Sequence, residues 1–326
     1  MTIIDKLCAT LALGVAAALA AGHACAADYP VRATTIYVGF AAGGPTDVVA
    51  RLLAEGLSRK LGQPFVVENR PGASGELAAN LVKKAAPDGY TLMVGANGTL
   101  AILPVVKKGL GYEPLHDFTP IAPVARFPYY LVVSNQSRFR SYGDLIETGR
   151  KPAENLTFGS AGPGSANHLA GVWFSKAAGI ASTHVPYKGD AAVLSDLIAG
   201  RVDFAFLAGS IVIPQVDSKN LRMLASASSS ADIGLPGLPI LGQGPLAGYS
   251  AEPWNGLLGP AGMPESVVRT LNAAVNEVMT SDSVAARLKA IDQYPFPGSA
   301  QAFADHIRTQ TERTAEIVRK SNLTIE

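Results

Sequence analysis

The constraint that most narrows the fold is the stretch 35–62, TIYVGFAAGGPTDVVARLLAEGLSRKLG, which reads as a strand delivered through a glycine turn into a helix. Ile36, Val38 and Phe40 alternate as a β-strand does, and Val49, Leu52, Leu53, Leu57 and Leu61 then recur at helical spacing. Gly62, with Pro64 just beyond, stops the helix. Between strand and helix lies Ala41-Ala42-Gly43-Gly44-Pro45-Thr46-Asp47. Small residues there let a ligand approach the backbone, Pro45 fits the first helical turn, and Thr46 or Asp47 can bond amides that lack intrahelical partners. A helix start presents free N–H donors and positive partial charge, so the turn suits an anion. The plainer alternative is a tight βα turn and nothing more. A G-x-G-x-x-G fingerprint is absent, and so is the G-K-[ST] ending of a phosphate-binding loop.

The rest of the chain repeats this unit. Strands at 65–67 and 90–95 flank a helix at 75–86, and the third strand runs into Ala96-Asn97-Gly98-Thr99. Two apolar segments, 121–125 and 129–133, separated by Phe127-Pro128, look like a crossover into a second lobe. There the alternation restarts, with helices near 142–150, 165–178, 191–199 and 211–216 between strands at 156–159, 183–185, 204–207 and 221–225. A Gly/Pro-rich stretch at 234–248 leads back through 254–259 to helices at 265–279, 283–290 and 300–320. Alternating strands and helices imply an α/β fold with mostly parallel sheets covered on both faces. A chain that leaves one such unit, builds another and returns predicts two lobes, 27–127 plus 248–326 and 128–247, with a ligand cleft at the strand-to-helix turns.

Residues 7–21 form an apolar, alanine-rich run preceded by Lys6 and followed by Ala24-Cys25-Ala26. This predicts a secretory signal peptide over 1–26, cleaved before Ala27 or Asp28. The run is shorter than the ~18 apolar residues of a spanning helix. Lipidation at Cys25 is the other reading, against which Gly22-His23-Ala24 makes a poor lipobox. Both cysteines, Cys8 and Cys25, precede the expected mature start, so the exported chain has no disulfide, no C-x-x-C redox chemistry and no thiolate zinc site. Its net charge of +1, without a clustered Lys/Arg run, argues against nucleic acid or an anionic membrane as partner.

Two further turns carry chemistry. In Gly159-Ser160-Ala161-Gly162-Pro163-Gly164-Ser165-Ala166-Asn167-His168, a hydroxyl stands at the cap position behind small residues, so Ser165 Oγ and several amides can meet a carboxylate. The G-x-S-x-G spacing of a nucleophile elbow fits neither Ser160 nor Ser165. His168 has no second histidine at ligand spacing, which leaves structure or ligand contact rather than a metal. The other turn, Val185-Pro186-Tyr187-Lys188-Gly189-Asp190, sets an aromatic and a cation beside a helix start, with Asp190 open to an N-cap role or a ligand role.

Taken in order, Phe40 to Asp47, Val67-Glu68-Asn69-Arg70-Pro71-Gly72-Ala73 and Pro87-Asp88-Gly89-Tyr90-Thr91-Leu92 resemble the Bug family, the periplasmic solute receptors of tripartite tricarboxylate transporters. His168-Leu169-Ala170, Val185-Pro186-Tyr187-Lys188-Gly189, Gly200-Arg201-Val202-Asp203 and Gly256-Leu257-Leu258-Gly259-Pro260-Ala261-Gly262 follow in the same order, over the whole mature chain. The resemblance implies a two-lobed venus-flytrap receptor, monomeric and without a cofactor. It would close on a small organic acid or related metabolite and hand it to integral membrane permease subunits. The family's ligand loops fall on Ala42, Gly43, Gly44, Thr46 and Asp47; on Asn97, Gly98 and Thr99; on Ser160, Gly162, Gly164, Ser165, Asn167 and His168; and on Tyr187, Lys188, Gly189 and Asp190. There a ligand carboxylate is held by backbone amides and hydroxyls, partly through ordered waters. This chain departs from the pattern at Ala41-Ala42, where the family usually has two prolines, and after Ala208, where it often has an Asp-Asn pair. It departs again at Asn255, where an aromatic is usual, and at Asp190, where Ser or Ala is common. A carboxylate at position 190 predicts a ligand with one carboxylate or carboxamide and a polar or cationic second end, such as an amino acid or a heteroaromatic acid, ahead of a tricarboxylate. An enzyme and a periplasmic sensor of the same fold are the alternatives, but no paired carboxylates, Ser/His/Asp spacing or metal cluster stands out.

Overall fold

A computed structural model describes residues 29–229, 233–244 and 246–321. The expected signal peptide, with Cys8 and Cys25, lies outside the described residues. Two sheets organise the rest. The first has the order β11-β4-β10-β3-β1-β2, built from β1 (Thr34–Val38), β2 (Phe65–Asn69), β3 (Thr91–Ala96), β4 (Phe118–Arg126), β10 (Trp254–Pro260) and the short β11 (Tyr294–Pro295). The second has the order β7-β6-β8-β5-β9, from β5 (Tyr129–Ser134), β6 (Leu156–Ser160), β7 (Ser182–Pro186), β8 (Phe204–Ala208) and β9 (Leu221–Ser226).

Strands β1, β2, β3 and β4 point one way, while β10 and β11 run against them. In the second sheet β5 alone opposes its neighbours. The two interior reversals, β10 and β5, are the strands on which the chain enters a lobe from its partner, so their direction is set by the crossing rather than by a βαβ unit. Chain passage between the lobes is a pair of hydrogen-bonded segments: Phe127 N donates to Pro253 O at 3.0 Å and Tyr129 N to Ala251 O at 3.1 Å.

Period-two alternation gives each sheet two buried faces. Leu92 and Val94 pack beneath α1 (Pro45–Leu61) and α7 (Glu265–Thr280), whereas Met93 joins Trp254, Phe303 and Ile307 on the opposite face, under α2 (Glu76–Lys83) and α9 (Ala300–Ser321). In the second lobe Leu131, Val133, Phe204 and Phe206 face α3 (Tyr142–Gly149) and α4 (Ala166–Ala178). Tyr130, Val132, Ala205 and Leu207 face α5 (Asp190–Ile198) and α6 (Gly209–Asp217). Helix α8 (Asp282–Lys289) covers the first lobe beside α7. Helix α9 also reaches across, placing Ile317 against Ile102 and Leu169. Among the described residues no helix is long and apolar enough to cross a membrane.

Candidate functional site

The turn that opens α1 folds as its composition dictates. Pro45 occupies the first helical turn, and Gly44, in extended backbone, is the N-cap. Neither Thr46 nor Asp47 caps the helix. The Asp47 carboxylate instead accepts from Gly43 N at 3.0 Å, from Asn69 Nδ2 at 2.8 Å and from Arg51 Nε at 3.0 Å. It is 2 % exposed, and although burial alone would raise its pKa, these bonds hold it below the ordinary value. Its work is to lock the turn to β2. Thr46 Oγ1 donates 3.1 Å to Asn255 Oδ1 on β10.

Three helix starts meet at one cleft between the lobes. Gly44 and Thr46 of α1, Ser165 and Asn167 of α4, and Gly189 and Asp190 of α5 all line it, together with Ala42, Asn97 and Gly98. Each start leaves amide donors without intrahelical partners, so positive potential from both lobes converges on a single space. Ser165 is the N-cap of α4: its hydroxyl accepts from His168 N at 3.4 Å and lies 2.6 Å from Gly162 O and 2.7 Å from Asn167 Oδ1. Gly98 begins a turn of π-helix, Gly98–Ile102, a geometry that recurs at functional sites.

Asp190 is the one acidic side chain in this wall. It is the first residue of α5 rather than its cap, and no side chain caps that helix. Its Oδ1 accepts from Asn167 Nδ2 at 2.6 Å, and it is 9 % exposed. Burial pushes its pKa up to about 6, against the lowering pull of the Asn167 bond.

The lobes touch across the cleft. Ser74 Oγ donates to Pro163 O at 2.6 Å, from a residue held in left-handed backbone (φ 53°) that a side chain rarely adopts. A Cβ on Gly98 would stand 3.3 Å from Ala166 N, one on Gly189 3.3 Å from Ala41 Cβ, and one on Gly164 2.3 Å from Leu103 Cδ2. Glycine at these positions permits the closed arrangement.

The other residues singled out from sequence lie outside the cleft wall. Gly43 is exposed in its turn. Thr99 Oγ1 donates to Ser74 O at 2.8 Å and so supports the loop that bridges the lobes. Gly162 O serves as acceptor for Ser165, and Gly164 packs on Leu103. Ser160 Oγ lies 2.6 Å from His184 Nε2. His168 Nδ1 accepts from Gly164 N at 3.1 Å, and its ring stacks on His184 with centroids 3.9 Å apart. Burial first, and His184 second, push the His168 pKa down to about 3; burial brings His184 to about 4. Among the described residues no group of three or more His, Cys, Asp or Glu is placed to hold a metal ion. Tyr187 turns away, its hydroxyl donating to Asp196 Oδ2 at 2.8 Å, and Lys188 is exposed.

Cleft residues not singled out beforehand include Phe40, Phe127, Tyr129, Ala191 and Pro253. The Phe127-Pro128-Tyr129 break marks the crossover and could have flagged the two rings. Pro253 carries no local signal.

Comparisons with known proteins give the family and the fold. A family described as "Tripartite tricarboxylate transporter family receptor" matches residues 49–323. The chain belongs to that receptor family. Protein BugT of Bordetella pertussis is 30 % identical over 319 residues, covering 98 % of each chain. Among solved structures, Rpa4515 of R. palustris with adipate shares 34 % identity and a TM-score of 0.87, covering 91 % of this chain and 99 % of that one. MatC of Rhodopseudomonas palustris with bound malate shares 32 % identity and a TM-score of 0.84, covering 89 % and 100 %. The receptor has the two-lobed periplasmic-binding-protein fold of these structures, and its relatives are solute-binding proteins rather than enzymes.

Proposed function

We propose that this receptor closes on a small carboxylate bearing a polar or cationic second end and delivers it to the permease subunits of a tripartite tricarboxylate-type transporter. The observation that carries the reading is the convergence of three helix starts on one cleft beside a buried aspartate. Free amides of Gly44-Thr46, Ala166-Asn167 and Asp190-Ala191 suit one carboxylate without any cationic side chain in the wall. Adipate and malate in the two related structures support a carboxylate. Asp190 sets this chain apart from a receptor built for a second carboxylate, since like charges in a water-poor cleft repel while an ammonium, amide or ring N–H is paired. The contact set is Ala42, Gly44, Thr46, Asn97, Gly98, Ser165, Asn167, Gly189 and Asp190, and the remaining loop residues act by shaping those turns.

The same reading includes export through a leader over 1–26, a periplasmic location and action as a monomer. The lobes are 27–127 plus 248–326 and 128–247; the division of strands between two sheets supports this. Thermal-shift screening against mono-, di- and tricarboxylates, amino acids and pyridine carboxylates tests it, because a preferred ligand stabilises by mass action. An amino acid or heteroaromatic acid is expected to give the largest shift. A tricarboxylate in first place, with Asp190→Ser leaving the ranking unchanged, would remove Asp190 from the account.

A further inference from the structure

A second cavity adjoins the cleft and shares Asn97, Tyr129, Ala166 and Pro253 with it. It lies between β10 and α9 of the first lobe and α4 of the second. Both tryptophans of the chain, Trp173 and Trp254, line it. The His306 ring stands edge-on to Trp254 at 4.8 Å and to Phe296 at 5.0 Å, so the wall is an aromatic box. Two guanidinium groups complete it. Arg126 sits 5.7 Å from the Phe296 ring centroid, and Arg313 donates to Ser250 Oγ at 2.8 Å. The Glu252 carboxylate also lines the space, with Oε1 already accepting from Ser229 Oγ at 2.7 Å. Burial first and Arg126 second push the His306 pKa down to about 4, so that ring is neutral at pH 7. Two cations against one engaged carboxylate favour an anion.

Three residues of this wall hold a buried polar atom with no hydrogen-bond partner among the described residues: Asn97 Oδ1, Trp254 Nε1 and His306 Nε2. Buried polar groups are normally paired, so their concentration in one cavity wall departs from the rule of a packed interior. Apolar rings with a few convergent polar groups are how small-molecule pockets are made.

We propose that this cavity is a second ligand site, distinct from the cleft, for a small aromatic carboxylate. Its ring would lie among Trp173, Trp254 and Phe296, and its carboxylate would meet the guanidinium groups, whose planar forks match carboxylate geometry. A bare inorganic anion would leave the rings without contact, and a cation would meet Arg126 and Arg313. Because both lobes supply the wall, occupation favours the closed arrangement, and by linkage the two sites strengthen each other's ligands.

Benzoate titrated into the purified protein is the test, read by intrinsic tryptophan fluorescence because both fluorophores line the cavity. A saturable change is expected, weakened about tenfold or more by Arg126→Gln or Arg313→Gln, the loss of one hydrogen bond to a charged group. Both arginines are exposed, and circular dichroism would confirm that the variants fold. Cyclohexanecarboxylate is expected to bind more weakly than benzoate. No saturable change in the wild type, or an affinity unchanged from wild type in both arginine variants, would overturn the site. Tightening of benzoate by Asp190→Asn with no loss in the arginine variants would place it in the cleft and equally overturn the proposal.

Discussion

Replacing Asp190 by Asn separates ligand chemistry from fold more cleanly than any other change in the cleft. The Asn side chain keeps an oxygen to accept the 2.6 Å bond from Asn167 Nδ2, while it removes the charge and exchanges the second oxygen for an NH2 donor. Burial lifts the carboxyl from 3.8 to about 6, and at ~1.4 kcal/mol per pKa unit holding it ionised costs the folded protein about 3 kcal/mol at pH 7. Well below pH 4 both folded and unfolded chains carry the proton and the cost vanishes. As pH rises from about 4 through about 6, the unfolded chain releases its proton first, so this group's contribution to stability declines and is lost above about 6. Urea unfolding of wild type and Asp190→Asn across pH 4–8 reads the difference directly, since all other titrations cancel. The variant is expected to gain on the wild type through this window and to level off above pH 7, more stable by up to about 3 kcal/mol. A gap independent of pH, or a variant less stable at pH 7.5, would refute a desolvated carboxylate at this position. The same substitution is expected to weaken an ammonium-bearing ligand by about 1.5–3 kcal/mol and to improve a dicarboxylate, so stability and function pull in opposite directions.

Ser165→Ala is expected to weaken an anionic ligand by about 0.5–3 kcal/mol in calorimetry. It also removes the cap of α4, so a melting-temperature drop should accompany it; unchanged affinity in a folded variant would take Ser165 out of the contact set. Gly164→Ala puts a Cβ 2.3 Å from Leu103 Cδ2 across the lobe boundary and should hold the lobes apart in small-angle scattering. Gly62→Ala, equally left-handed but with nothing within 4 Å, should leave closure intact. Buried His168 and half-buried His184, both neutral, make stability fall as pH drops from about 6.5 toward 4, because the unfolded chain takes up protons that the stacked pair resists. His184→Asn should flatten that acid limb of the urea profile.

What could be read from sequence was what neighbouring residues decide. The β1–α1 turn was legible because small residues followed by proline at the first helical turn have few other uses. The two-faced sheets were legible because Leu92, Met93 and Val94 alternate between opposite cores. Pairings between distant parts of the chain were not. Nothing near Thr46 announces Asn255, 209 positions away, although Asn255 stands out where the family usually has an aromatic. Likewise the Ser74 bond to Pro163 O exists only once two lobes have formed and closed. Tyr187 and Lys188 sit in the right loop, but a side chain's direction follows from its partner, and Asp196 on α5 draws the Tyr187 hydroxyl away. Asp190 was legible as an anomaly of charge, and its tie to Asn167 gives that anomaly a place in the cleft wall.

Capture of a carboxylate without turnover is the central claim, and calorimetry on the co-purifying compound measures it most directly. The compound is identified by native mass spectrometry, removed by mild unfolding and refolding, and titrated back, with the supernatant analysed for conversion. The account expects a small acid with a polar or cationic second end, weakened by Ser165→Ala and Asp190→Asn, and recovered unchanged. A compound without a carboxylate, or one chemically altered after incubation, would contradict it.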